Sequence, residues 1–298
     1  MKIILVIAAL VLVINFGSLP YLETSEARYA EISREMVESG NWSIPTLSYI
    51  KHFHKPPLTY WITASSFKLF GVNNSAGRIP LVLFALGILV LTGMTAKLLF
   101  PGLPGLDFKS VLILISAPLF LIQSRALTTD IYLTFFTLAA IYCHLYWYLN
   151  NATVRYLIFS AIFLGLAILT KGHIPLLIMA IPWIFAYILN RRQNNVGTKI
   201  KWMYLPSYIC IVLLVALPWF VYIIWQTPAI LEYLLNFHIV QRAATDVHNR
   251  GGNSFYFVAV LFIGMLSWFN HFFILLYRSI QKFIKGNMGT NEVILLIY

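Results

Sequence analysis

The sequence predicts an all-α polytopic membrane protein, and three observations carry that reading. The chain has 298 residues, of which 60% are apolar and only 10% charged, well outside the roughly 45–50% apolar usage of soluble domains. Mean hydropathy is +0.79, and several apolar runs approach the ~20 residues a helix needs to cross hydrocarbon. The net charge of +11 would suit a nucleic-acid partner in a soluble protein. No basic stripe or recognition fold accompanies it, and membrane loops account for basic residues equally well, so nucleic acid is set aside. Cys143 and Cys210 lie within apolar runs and offer neither a disulfide framework nor a metal spacing.

Taken in order, Lys2 and the run Ile3 to Phe16 have the make-up of a signal sequence. The stretch 17-GSLPYLE-23 lacks a small-x-small cleavage site, so this first span, near 2–20, reads as an uncleaved anchor. Further spans are expected near 77–99, 108–124, 131–149, 155–170, 174–190, 204–225 and 254–276, with another beginning at 291-NEVILLIY-298. With a cytoplasmic N-terminus, Lys and Arg greatly exceed acids in the cytoplasmic loops, as the positive-inside rule asks. Glu23, Glu26, Glu31, Glu35, Glu38, Asp130, Glu232 and Asp246 all fall on the other face, leaving only Asp107 and Glu292. Carboxylates gathered on one face point to chemistry there. The spans hold almost no ionisable residue apart from His144 and His271, whereas transporters keep such groups at the midplane. Chemistry at the interface is therefore favoured over transport through it.

The external loop 21–76 is the richest stretch. In 21-YLETSEARYAEISREMVESG-40, Thr24 and Ser25 suit a helix start and Gly40 a stop. Tyr29, Ile32 and Met36 make an apolar face, so an amphipathic helix lying on the membrane is expected, with Glu35 and Glu38 on its solvated side. Residues 23–31 cluster instead at the helix start, where a positive helix end can hold phosphate near a lipid headgroup. Downstream, Pro56 and Pro57 bar Lys55 from helical geometry and aim a long cation from a stiff support, which suits a phosphate. Tyr60 and Trp61 read as interfacial anchors.

The runs E-A-R-Y-A-E-I-S-R-E-M at 26–36, F-H-K-P-P-L-T-Y-W at 53–61 and F-G-V-N-N-S-A-G-R-I-P at 70–80 resemble the ArnT-like and protein O-mannosyltransferase-like integral membrane glycosyltransferases. So do L-T-T-D-I-Y-L-T-F-F at 127–136, G-L-A-I-L-T-K-G at 165–172 and A-L-P-W-F at 216–220. The resemblance implies a GT-C type transmembrane helix bundle with amphipathic juxtamembrane helices in a catalytic first external loop. It also implies a polyprenyl-phosphate sugar as donor, a lipid A-like or protein acceptor, and a multi-pass place in the inner membrane. One domain, 1–298, is expected, and the family's later spans and soluble external domain are expected to be missing. A truncated, non-catalytic remnant or a lipid-phosphate binding protein is the alternative.

Transfer from such a donor needs a carboxylate to take or polarise the acceptor hydroxyl and cations to neutralise the leaving phosphate. Where the family carries its catalytic aspartate, this chain has Ser25. Either Glu26 or Glu23 has taken over, or the chain is impaired. Asp130 matches the family's second acid, and Lys55 its lysine. Lys171 is a phosphate contact or a membrane anchor, and Arg28 a second phosphate ligand or the partner of Glu31; Tyr29 is placed with the substrate. His52 and His54 project to one face of an extended segment, and relatives bind metal near here with help from a histidine aligned with His248. A divalent ion such as zinc on His54 and His248 is the metal expectation, with polar loop residues as the other reading. The loop 226–253, carrying His238, Glu232, Arg242 and Arg250, is expected to cover the same cavity.

Overall fold

A computed structural model describes residues 2–18, 20–21, 24–150, 153–180, 202–235, 254–285 and 292. The described chain is a helical bundle with one small hairpin. In order it runs α1 (Lys2–Val13), α2 (Thr24–Ser39), β1 (Thr46–Leu47), β2 (Ile50–Lys51), α3 (Leu58–Phe70), α4 (Asn74–Leu99), α5 (Leu106–Ile115), α6 (Pro118–Gln123), α7 (Asp130–Asn150) and α8 (Val154–Lys171). A helical stretch at 174–180, α9, follows. Then come a 3-10 turn (Trp202–Tyr204), α10 (Leu205–Gln226), α11 (Ala229–Leu235), α12 (Ser254–Gly264) and α13 (Phe269–Ile284). Among the described residues α4, α8 and α10 are long and apolar enough to cross a membrane, and α12 with α13 form one further bent pair.

Three expected spans take another form. The first is helical only over Lys2–Val13, about 18 Å at 1.5 Å per residue, short of a ~30 Å core. The run at 108–124 is split into α5 and α6, because Pro118 pushes Ala117 out of helical geometry to ψ 120. The run at 254–276 bends by 110° between α12 and α13. The two breaks face each other: Trp268 Nε1 donates to Ser116 Oγ at 2.8 Å, and Gly264 packs so closely on Leu119 that an added Cβ would lie 2.8 Å away. The expected span at 174–190 is described only to residue 180.

The core forms where α7 packs between α4 and α8, with α10 behind α8. Leu81, Ala85, Leu89, Leu127, Ile131 and Tyr132 are buried there. Local chemistry fixes the elements. Asn73 caps α4 by accepting from Ala76 N at 2.8 Å. Pro80 within α4 has no N–H for the Ala76 carbonyl, and Ser66 Oγ of α3 donates to that carbonyl instead. A helix defect thus becomes the joint between the external loop and the bundle.

Helix α2 is folded onto protein. Tyr29, Ile32 and Met36 form the apolar face of α2 as expected, but all three are buried, and α2 packs on α3 and β1. Glu35, expected to be solvated, is fully buried. Its carboxylate accepts from Thr46 Oγ1 and from Tyr49 N at 3.1 Å. Ser48 and Tyr49 both have positive φ, 53° and 61°, the geometry of a two-residue hairpin turn that favours Gly or Asn. Glu35 offsets the strain of building that turn from other residues. Glu38 is exposed, as expected.

Candidate functional site

Several helix ends come together around Arg78. Buried Arg78, in the second turn of α4, donates to Arg125 O at 3.1 Å, to Phe16 O at 3.2 Å and to Pro20 O at 3.2 Å. It thereby gathers the chain leaving α1 and the chain leaving α6. Its guanidinium also lies 4.9 Å from the ring centroid of Tyr21, whose phenol burial pushes up. Glu26, in the first turn of α2, accepts from Leu127 N at 2.8 Å and sits 3.6 Å from Arg78 Nη2. Both side chains are nearly sealed, at 5% and 7% exposure for Arg78 and Glu26.

Three residues past Leu127, Asp130 opens α7. Thr128 Oγ1 lies 3.4 Å from both its backbone N and its Oδ2, and Lys171 Nζ bonds its Oδ1. Lys171 ends α8, where Gly172, at φ 79°, stops the helix. The Asp130 side chain is 42% exposed, so of the two carboxylates it is the one a substrate can reach. Glu26 thus bonds the segment that leads into Asp130, and Lys171 pairs with Asp130.

The remaining candidates flank this pair. Phe53 and Leu58, on either side of half-buried Lys55, pack against a cluster of Leu169 from the last turn of α8 with Trp219, Ile223 and Ile230. As Pro56 and Pro57 require, the stretch from Phe53 to Pro57 is not helical and α3 starts at Leu58. Lys51 Nζ reaches Thr227 Oγ1 at 3.1 Å, and Trp219 Nε1 donates to Ser43 O at 2.8 Å, tying the loop to α10. Tyr29 stacks on Tyr60 with centroids 5.5 Å apart. The partner of Glu31 is Arg34, at 2.8 Å, which holds the Glu31 carboxyl below its usual range. Arg28 carries no hydrogen bond or ion pair among the described residues. Its charge instead acts on His52, which burial, and then Arg28, hold below the ordinary histidine range.

The metal expectation finds no support. The rings of His52 and His54 lie 4.3 Å apart, but among the described residues no three His, Cys, Asp or Glu side chains come together as a ligand set. His248, His238, Arg242, Arg250 and Glu23 lie outside the described residues; Glu232 is exposed on α11. The sequence reading missed Arg78, although a cation inside the span at 77–99 should have demanded a buried partner.

The profile of the dolichyl-phosphate-mannose-protein mannosyltransferase family matches residues 4–234. An undecaprenyl phosphate-alpha-4-amino-4-deoxy-L-arabinose arabinosyl transferase of Proteus mirabilis is 30% identical over 257 residues, covering 84% of this chain and 45% of that protein. The Serratia proteamaculans protein of that name is 30% identical over 276 residues, covering 87% and 46%. The chain thus spans a little under half the length of these curated relatives. ArnT from Cupriavidus metallidurans bound to undecaprenyl phosphate superposes with a TM-score of 0.79 at 24% identity, covering 94% of this chain and 51% of that one. The archaeal oligosaccharyltransferase AglB from Archaeoglobus fulgidus gives 0.60 at 17%, covering 99% and 46%. At these identities both structures speak for the fold alone.

Proposed function

The chain belongs to the dolichyl-phosphate-mannose-protein mannosyltransferase family, and from that premise we propose that it moves a sugar from a polyprenyl-phosphate donor to a lipid A-like or protein acceptor. The reaction is placed at the external face of the inner membrane, with residues 1–298 acting as one catalytic membrane domain. The relatives' names supply the donor class. The observation that carries the reading is a partly exposed carboxylate, paired with an ammonium, in the wall of an apolar cavity. Asp130, bonded to Lys171, lines a cavity of about 620 Å³ whose other walls include Ile88, Ile113, Leu114, Phe120, Ile131 and Trp268. Such a cavity suits a hydrocarbon chain, and a carboxylate paired with an ammonium in its wall suits a charged headgroup.

In the reaction an acceptor hydroxyl attacks the anomeric carbon and the carbon–oxygen bond to phosphate breaks. The phosphate leaves as an anion, and the hydroxyl proton passes to a carboxylate. Asp130 receives it, and Lys171, bonded to Asp130, holds that carboxylate in position. Lys55 and the guanidinium of Arg28 neutralise the departing phosphate. Tyr29, held against Tyr60, walls the donor side.

Ser25, standing where the family carries its aspartate, favours a second reading: a membrane protein that binds lipid phosphate without turning it over. Transfer assays on the purified, reconstituted chain separate the two. Radiolabelled polyprenyl-phosphate pentose or hexose should label lipid A or a protein acceptor, and Asp130→Asn should lower that labelling by ~10²–10⁴-fold. Phosphate-dependent lipid binding with no transfer from any donor would support the second reading and defeat the first.

A further inference from the structure

Glu26 looks from the sequence like the replacement for the missing acid, yet its surroundings are those of a structural carboxylate. A group that takes a proton from substrate must present a lone pair within hydrogen-bond reach of it. The Glu26 side chain is 7% exposed, one of its oxygens already accepts from Leu127 N, and the same oxygen faces the buried guanidinium of Arg78. What those contacts do is hold a segment. Leu127 is fully buried, Ser124 and Thr129 are almost so, and Asp130 follows directly. Arg78 fixes the other end of the segment by donating to Arg125 O, and Arg125 reaches back to Val11 O in α1. The loop between α6 and α7 is thus gripped at residue 125 by Arg78 and at residue 127 by Glu26.

We propose that Glu26 and Arg78 are a positioning pair, gripping residues 125–127 so that Asp130 meets Lys171 and the substrate, and that Glu26 takes no proton itself. The inference rests on the proposed transferase reading for its kinetic part only. Misplacing a reacting group by about 1 Å costs ~10²-fold in rate, and that is the size of effect expected from releasing this grip.

The experiment uses the whole chain in lipid nanodiscs, comparing wild type with Glu26→Gln, Glu26→Ala and Arg78→Lys. Hydrogen exchange of peptides covering 124–131 needs no turnover. The Gln variant keeps an acceptor for Leu127 N and should retain protection there. Glu26→Ala should speed exchange in those peptides about tenfold or more, while α8 and α10 stay unchanged, and Arg78→Lys should fall between. Per folded molecule, Glu26→Gln should keep transfer within about threefold, and Glu26→Ala should lower kcat ~10²-fold with little change in donor KM. Added to Asp130→Asn, Glu26→Ala should cost nothing more, because both act through one carboxylate. Unchanged exchange at 124–131 in Glu26→Ala would overturn the proposal, whether or not transfer is detected. So would a Gln variant that keeps loop protection yet loses as much turnover as the Ala variant. An absence of transfer in wild type would count against the transferase reading, with the exchange result still deciding the grip.

Discussion

Helix α2 carries two carboxylate–arginine arrangements that read alike in sequence and differ in kind. At its first turn Glu26 meets Arg78 of α4 under protein cover, with both side chains 7% exposed or less. Further along, Arg34 bridges Glu31 and Glu38 on the outside, at 2.8 and 2.6 Å, and Tyr49 Oη donates to Glu38 at 2.9 Å. The outer contacts are shorter, yet they matter less. Exposed pairs gain little because water competes for both charges, whereas removing one partner of a buried pair leaves an uncompensated charge in low dielectric. Burial, more than distance, decides which pair shapes the rim.

That contrast can be broken most forcefully at Arg78. Arg78→Ala deprives three carbonyls of a donor and Glu26 of its counter-charge, and should destabilise the chain by ~3–5 kcal/mol, read as a large drop in thermal midpoint in detergent. Glu35→Ala comes next. It frees Thr46 and Tyr49 N from a buried acceptor and should cost ~1–3 kcal/mol, with Glu35→Gln recovering part and proteolysis near residues 46–51 reporting the loosened hairpin.

His52 gives a smaller, pH-dependent effect. Its folded pKa lies below the unfolded value of about 6.5, so above that pH neither state is charged and histidine contributes nothing. As pH falls below 6.5 the unfolded chain binds the proton first, and stability should decline until the folded pKa is reached. Melting curves from pH 7 to 5 should show that decline, and His52→Gln should flatten it. The smallest effect belongs to Arg34→Ala, which should leave the melting midpoint indistinguishable from wild type. A drop matching that of Arg78→Ala would end the comparison.

How much of this was legible beforehand follows from which contacts are local. Gly40 as the stop of α2, the apolar face Tyr29–Ile32–Met36 and the non-helical Lys55 before Pro56 all depend on neighbours in sequence, and all were readable. The meeting of Glu26 with the Asp130 segment came from a family resemblance and the one-sided acids. Glu35 was misread because helical spacing says which face a residue occupies and nothing about what covers that face. A β-hairpin eleven residues on covers it. Arg78 was hidden because its partners, Phe16, Pro20, Glu26 and Arg125, come from three other parts of the chain. The breaks at Ser116 and Gly264 escaped a hydropathy reading, which averages over Pro118 and over the close packing of Gly264 on Leu119.

The account turns on this rim being a place where a lipid-borne phosphate lies beside Asp130. Its most direct test is a titration of the chain in nanodiscs with undecaprenyl phosphate, with undecaprenol as the phosphate-free control. Saturable binding that requires the phosphate and weakens about tenfold in Lys55→Ala and in Arg28→Ala is the predicted result, charge-assisted contacts of this kind being worth ~1.5 kcal/mol or more. Equal binding of undecaprenol, or indifference to both substitutions, would contradict it.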